Sequence, residues 1–206
     1  MLVQEAMSTA VVTVARSASV RQAIRILNDN QITAAPVTDE TGHLVGIVSE
    51  MDLLRGEFEA DPRAFARHVA APADPPPRRV EDAMTTNVFT VRPNSDVAEL
   101  AEVMMSTGYK SVPVMDGPVI AGMISRRDLI AILARSDARI RDDVLALLRD
   151  YLRPGFRWEV TVADGVVELS GDGDERVQKL ADDLVRTVPG ATRVVIFDRT
   201  RPEHPS

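Results

Sequence analysis

The sequence predicts an α+β fold: two pseudo-symmetric β-α-β-β-α repeats followed by a small C-terminal α-β-β-α-β unit. Three observations predict it. The stretch GIVSEMDL (Gly46–Leu53) is written again as GMISRRDL (Gly122–Leu129). The surroundings of the two stretches match in the same order, as expected for a duplicated structural unit. Beyond about residue 137 the match ends and a new alternation of helical and strand periods begins.

Shifted by 77 residues, Ala6-Met7-Ser8-Thr9 falls on Ala83-Met84-Thr85-Thr86, Val12-Thr13-Val14 on Phe89-Thr90-Val91, and Ala35-Pro36-Val37 on Val112-Pro113-Val114. A loop one residue shorter in the second copy makes the shift 76, and Gly46, Ser49, Asp52 and Leu53 fall on Gly122, Ser125, Asp128 and Leu129. The short apolar runs around Thr13 and Thr90 read as entering strands. Ser19–Gln22 and Asp96–Glu99 read as capping boxes, a side-chain acceptor followed three residues on by Glu or Gln. Behind them Val20, Ala23, Ile24 and Leu27, and then Val97, Leu100, Ala101 and Met104, each make one apolar helical stripe. AAPVTDETGHLVGIVS and SVPVMDGPVIAGMIS are each two apolar runs around a Gly-containing turn, a hairpin signal. A helix should start after Ser49 and after Ser125. Amphipathic helices flanking short strands predict helices packed on one face of a small sheet.

The repeats span 1–57 and 80–136. The connector, 58–79, carries Pro75–Pro77, which excludes regular helix and central strand. Phe58, Phe65 and Val69 in it are placed to pack back as a short helix.

The C-terminal unit, 137–200, opens on a helix with Ile140, Val144, Leu145, Leu148 and Leu152 at helical spacing. Trp158, Val160 and Val162 then alternate with polar residues, Asp164-Gly165 intervenes, and Val167 and Leu169 resume the alternation, a strong hairpin signal. A second amphipathic helix with Val177, Leu180, Leu184, Val185 and Val188 stops at Pro189-Gly190, and ATRVVIFD reads as the last strand.

The composition is that of a soluble globular chain: 45% hydrophobic and 27% charged residues. Aromatic residues make up 4% and the net charge is −7, which argue against stacking platforms and broad phosphate-backbone binding, so no nucleic-acid partner is expected. With no cysteine, disulfides, thiolate metal sites and cysteine nucleophiles are excluded. No run approaches the ~18 apolar residues of a membrane span, and the first residues lack the basic and apolar regions of a signal peptide. A cytoplasmic location is the expectation.

Ser49 and Asp52, like Ser125 and Asp128, suit two tasks. Serine is a good helix N-cap and a first-turn aspartate complements the helix dipole. The same pair suits a ribose, because a carboxylate accepts from two vicinal hydroxyls and the helix start offers free N–H groups. The copies differ between these positions: Glu50 and Met51 in the first stand where Arg126 and Arg127 stand in the second. Arginine at a helix start is well placed for phosphate oxygens, and Glu50 repels them.

The ordered set AMST, VTV, TAAPV and GIVSEMDL, and again AMTT, FTV, KSVPV and GMISRRDL, resembles a tandem pair of CBS domains, a Bateman module, over about residues 1 to 135. The resemblance implies a regulatory ligand of adenosyl type, AMP, ADP, ATP or a related compound, held between the repeats, with no cofactor required. It implies that Ser49 with Asp52, and Ser125 with Asp128, hold the ribose. It implies that Thr33, Ala35 and Pro36, and Lys110, Val112 and Pro113, frame the adenine, with Thr13 and Thr90 at the entering strands. Together with the arginines, these assignments predict that the second-copy site accepts phosphates and that the first-copy site prefers a less anionic adenosyl compound or stays empty. The resemblance also implies a homodimer formed through the repeats.

The C-terminal unit resembles a BON domain over about 140 to 199, on VADGVVELSG and PGATRV with Gly165, Gly171 and Gly190. That family is associated with membrane surfaces and with protein interaction. Asp182, Asp183 and further acids count against an anionic lipid surface and for a protein partner.

No catalytic constellation is written in the chain. His43, His68 and His204 stand in unrelated contexts, Ser170–Glu175 lacks both a phosphate-loop Lys and calcium-loop spacing, and no serine sits in a nucleophile elbow. The reading is a non-catalytic sensor, metal-free, with an interaction scaffold whose ligand clefts are vestigial as the alternative.

Overall fold

The structure is a computed structural model that describes residues 1–55, 77–152, 157–171 and 174–198. The expected helix of Phe58, Phe65 and Val69, and most of the Pro-rich connector, lie outside the described residues. In chain order the elements are a 3-10 turn (Val3–Glu5), β1 (Val14–Ala15), α1 (Val20–Asp29), β2 (Ala34–Thr38), β3 (Leu44–Ser49), α2 (Glu50–Leu53), α3 (Val80–Ala83) and α4 (Val97–Thr107). They continue with β4 (Ser111–Asp116), β5 (Val119–Ser125), α5 (Arg126–Leu133), α6 (Asp137–Tyr151), β6 (Trp158–Ala163), β7 (Val166–Gly171), α7 (Glu175–Val185) and β8 (Arg193–Asp198). The chain divides into two compact units that do not follow the repeat boundaries: a first unit of 8–93 and 111–124, and a second of 1–7, 94–110 and the residues from 125 onward.

In the first unit, α1 forms as its sequence dictates. Ser19 Oγ accepts from Gln22 N–H at 3.2 Å, and Gln22 Oε1 accepts from Ser19 N–H at 2.9 Å, closing the capping box. Its stripe of Val20, Ala23 and Leu27 is buried against Val14, Ala35, Val37, Val48, Leu53 and Val80. The sheet order is β1-β2-β3, with β1 parallel and β3 antiparallel to β2. The second hairpin, β4-β5, is a two-stranded sheet.

The entering strand of the second copy is shorter than expected: Val91 makes a single parallel bridge to Val114. The cause is one residue. In the first copy Arg16 N–H extends the β1–β2 ladder by donating to Thr38 O at 2.9 Å. Its counterpart is Pro93, which has no N–H to donate, so the ladder stops.

The leading motif of each copy pairs with the hairpin of the other. Ser8 and Met123 exchange two backbone hydrogen bonds of 2.9 Å, and Thr85 and Ile47 exchange two more of 2.9 Å. Ser8 and Thr85 are equivalent in the repeat, as are Ile47 and Met123, so the exchange is reciprocal.

In the second unit, Asp96 caps α4 by accepting from Ala98 N–H at 2.8 Å, in place of the expected box with Glu99. Residues 1–3 add further partners: Val3 N–H donates to Ser95 O at 2.9 Å, and Val97 N–H to Met1 O at 3.1 Å. Leu100 and Met104 of the α4 stripe are buried.

The C-terminal elements α6-β6-β7-α7-β8 form the expected α-β-β-α-β arrangement. The sheet order is β6-β7-β8, β7 antiparallel to β6 and parallel to β8. Asp164 (φ 50°) and Gly165 (φ 75°) make the tight turn, both in the left-handed region that a two-residue hairpin of this hand requires. The Asp137 carboxylate at the start of α6 accepts from Asp164 N–H at 3.0 Å and Gly165 N–H at 2.9 Å. Ile140, Val144, Leu148, Val160, Val167, Leu169 and Val185 fill the core. Leu180 was expected in the α7 stripe, but it is 46% exposed and Ala181 is buried instead. The stripe thus runs 177, 181, 184, 185, 188, with a small side chain where α7 meets the core.

Candidate functional site

The first-copy residues all lie in the first unit. Ser49 ends β3 opposite Ala34, and Ala35 pairs with Val48, so the strand register sets the Thr33–Pro36 segment beside the start of α2. Glu50 N–H donates to Thr33 O at 3.0 Å, which fixes that juxtaposition. Ala35 and Pro36 are buried, and Thr33 is exposed. Thr13 is exposed and immediately precedes Val14, which pairs with Val37 on the other side of β2.

Asp52 folds back on Ser49. Its Oδ2 accepts from Ser49 N–H at 2.9 Å and from Ser49 Oγ–H at 2.6 Å. The carboxylate therefore satisfies one orphan donor of the helix start with a single oxygen. Among the described residues, no hydrogen bond reaches its Oδ1.

The second-copy residues fall in both units and form two groups. In the first unit, Val112 and Pro113 are buried in β4, and Pro113 O accepts from Val91 N–H at 3.2 Å, next to the half-buried Thr90. In the second unit, Asp128 Oδ2 accepts from Ser125 N–H at 2.7 Å and from Ser125 Oγ–H at 2.7 Å, the same arrangement as Ser49 and Asp52. Arg126 N–H donates to Lys110 O at 3.0 Å, matching the Glu50–Thr33 bond.

The two arginines differ. The Arg126 guanidinium donates to Tyr109 O through Nε at 2.8 Å and to Gly108 O through a terminal nitrogen. Arg127 is exposed, and no hydrogen bond or ion pair ties it to the described residues. The sequence reading missed Gly108 and Tyr109. Their signal was present: a glycine closing a helix, followed by carbonyls that a nearby cation satisfies.

Among the described residues, no group of three or more His, Cys, Asp or Glu is placed to hold a metal ion. None of the described helices is long and apolar enough to cross a membrane.

The arrangement can do two things chemically. It caps a helix locally, and it presents, at each of two equivalent positions, a carboxylate oxygen that accepts no hydrogen bond from the described residues. Known proteins are similar to this chain over the two repeats. The CBS domain family model matches residues 3–59 and 80–135. A CBS domain-containing protein of Dictyostelium discoideum is 30% identical over 143 residues, covering 65% of this chain and 92% of that protein. An uncharacterized protein of Methanocaldococcus jannaschii is 29% identical over 136 residues, and there the match covers 64% of this chain but only 32% of the relative. The crystal structure of a CBS domain pair in complex with 5′-methylthioadenosine and S-adenosyl-L-methionine superposes with a TM-score of 0.52 at 27% identity, over 64% of this chain and 94% of that one. The match covers both copies of the repeat in order, and the chain belongs to the CBS-domain family, with the domain present as a tandem pair.

Proposed function

We propose that this protein is a non-catalytic regulatory module that binds an adenosyl ligand through its CBS pair and passes the bound state to a partner through its C-terminal unit. One observation carries the ligand reading. Asp52 and Asp128 each spend one oxygen on their own serine and keep the other, in the same geometry, at equivalent places in a duplicated fold. A carboxylate held in this way suits the vicinal hydroxyls of a ribose. The ligands of the 27%-identical CBS pair, 5′-methylthioadenosine and S-adenosyl-L-methionine, are both adenosyl compounds.

The signalling part rests on α5. This helix carries Asp128 in its first turn, while Ile132 O near its other end lies 3.2 Å from where a β-carbon on Gly190 would stand. Arg135, just past the helix, pairs with Asp143 of α6. A ligand that favours one placement of α5 thereby biases the C-terminal unit, and this is how differential affinity becomes a signal. The α-β-β-α-β order supports a BON-like identity for that unit, with a protein as its partner. Association into a homodimer through the CBS repeats belongs to the same reading.

Calorimetric titration with AMP, ATP, 5′-methylthioadenosine and S-adenosyl-L-methionine tests it, on the wild type and on Asp52→Asn and Asp128→Asn. Asparagine keeps an oxygen for the serine but gives up the charge and the second acceptor. The variants should melt with the wild type and lose about tenfold or more in affinity. Unchanged affinity in both would remove the carboxylates from binding. A wild type that binds none of the four would leave the scaffold reading.

A further inference from the structure

We propose that Arg126 is a positioning residue: it clamps the Gly108–Lys110 segment against the start of α5 and does not itself contact ligand phosphate. This rests on the adenosyl-binding reading and sharpens it.

Three consecutive carbonyls converge on this one residue. Gly108 O and Tyr109 O accept from its guanidinium, and Lys110 O accepts from its backbone N–H at 3.0 Å. Gly108 closes α4 in the left-handed conformation (φ 81°), a turn that leaves the following carbonyls without helical partners. A guanidinium satisfies several such oxygens at once because its donors are splayed in a rigid plane. The Nε–H and one terminal N–H are thereby committed to backbone carbonyls, and the plane of the group is set by them rather than by a phosphate.

Among the described residues, the first copy has no such clamp. Glu50 makes the backbone bond to Thr33 O at 3.0 Å, but its side chain has nothing to donate, so one bond joins the equivalent segment, Gln31–Thr33, to the start of the following helix, where three join Gly108–Lys110 to Arg126. The difference between the copies is thus one of pre-organisation as well as charge. The second-copy segment is set before ligand arrives, and less ordering cost falls on binding. Any preference for anionic adenylates falls to Arg127 and Lys110.

Three ligands separate the two roles: adenosine, AMP and ATP, titrated against wild type, Arg126→Gln, Arg126→Lys and Arg127→Gln. A clamp predicts that Arg126→Gln weakens all three by the same factor, about two- to tenfold, and that Arg126→Lys recovers part of the loss. Hydrogen exchange on the ligand-free chain supplies an independent readout. In Arg126→Gln the amides of residues 108 and 126 should exchange several-fold faster, with α6 unaffected. Weaker AMP and ATP binding with adenosine untouched would make Arg126 a phosphate contact and overturn the proposal. Unchanged exchange at residues 108 and 126 would overturn it as well. If the wild type binds none of the three, the adenosyl reading fails, and the exchange rates alone then decide whether the clamp exists.

Discussion

The side chain of Met84 lies across the α-carbon of Gly46. A β-carbon built on Gly46 would stand 2.5 Å from the Met84 sulfur, 3.0 Å from its Cγ and 3.1 Å from Thr85 O. The glycine of the GIVSEMDL motif is there because the leading segment of the second copy crosses it. Met84 is flexible and can move, but the Thr85 carbonyl, bound to Ile47 N–H at 2.9 Å, is backbone and cannot.

Gly46→Ala should therefore cost about 1–3 kcal/mol, the usual range for overpacking. Urea denaturation measures it. Combined with Met84→Ala, the substitution should cost less than the two single changes added together, because one clash is relieved. Strict additivity would mean the sulfur is not the obstacle.

Gln31 closes the first-copy segment with φ 54°, where the second copy has Gly108 at φ 81°. A side chain in that region costs about 1–2 kcal/mol, and glycine gives back roughly 0.5–1 kcal/mol in unfolded-state entropy. Gln31→Gly should raise stability by a few tenths to about 1 kcal/mol. A lower denaturation midpoint in this variant would show that the Gln31 side chain contributes more than its conformation costs.

The β2–β3 turn titrates in acid. Asp39 Oδ1 accepts from Thr41 Oγ–H at 2.6 Å, from Thr41 N–H at 2.9 Å and from His43 N–H at 3.0 Å. The Thr41 hydroxyl first, then the His43 backbone, hold the carboxyl below its ordinary value of 3.8. A depressed folded value contributes stability that is fully present above the unfolded value and is lost as pH falls through the folded one. A carboxyl-detected NMR titration should place the Asp39 midpoint below 3.8. Asp39→Asn should flatten the stability–pH curve in that acid window by lowering stability at neutral pH, where the ionised carboxyl contributes in full, and should leave the most acidic conditions nearly untouched. A midpoint at or above the ordinary value would contradict the hydrogen bonds.

Asp137 holds the β6–β7 turn from the start of α6. Asp137→Ala leaves the amides of Asp164 and Gly165 without this partner and should destabilise the C-terminal unit by about 1–2 kcal/mol. Hydrogen exchange at those two amides should accelerate ahead of the β7 core, and equal rates in variant and wild type would rule the contact out.

Gly190 has φ 95°, and a β-carbon there would stand 2.9 Å from Ile140 Cδ1 and 3.2 Å from Ile132 O. Gly190→Ala combines backbone strain with a clash and should destabilise by about 1–3 kcal/mol. Under the sensor reading it should also weaken the effect of ligand on the C-terminal unit. Hydrogen exchange on α7, with and without adenosyl ligand, measures that coupling. A ligand response as large as in the wild type would release Gly190 from transmission.

Much of this architecture is legible in the sequence because its signals are local. The capping box at Ser19, the Asp164-Gly165 turn and the period of Ile140, Val144 and Leu148 each fix a conformation within a few residues. Ser49–Asp52 and Ser125–Asp128 are legible because they are written twice at one spacing. The pairing of Ser8 with Met123 is not, since nothing in either segment's period names so distant a partner. Arg126 was visible as a charge, but its neighbours Gly108 and Tyr109 come near it only through the chain's path between α4 and α5. Leu180 fits a helical stripe by spacing, yet the helix is rotated so that Ala181 meets the core. The short entering strand was readable in principle: Pro93 announces the missing donor.

The reciprocal pairing of Ser8 with Met123 and of Ile47 with Thr85 has a consequence for how such a chain can be divided. Each half carries the edge that finishes the other, so the tandem polypeptide is in effect a dimer of homologous halves joined by a tether. Cut the tether, and the two fragments should find one another when produced in the same cell, while either made alone should pair with its own twin or aggregate.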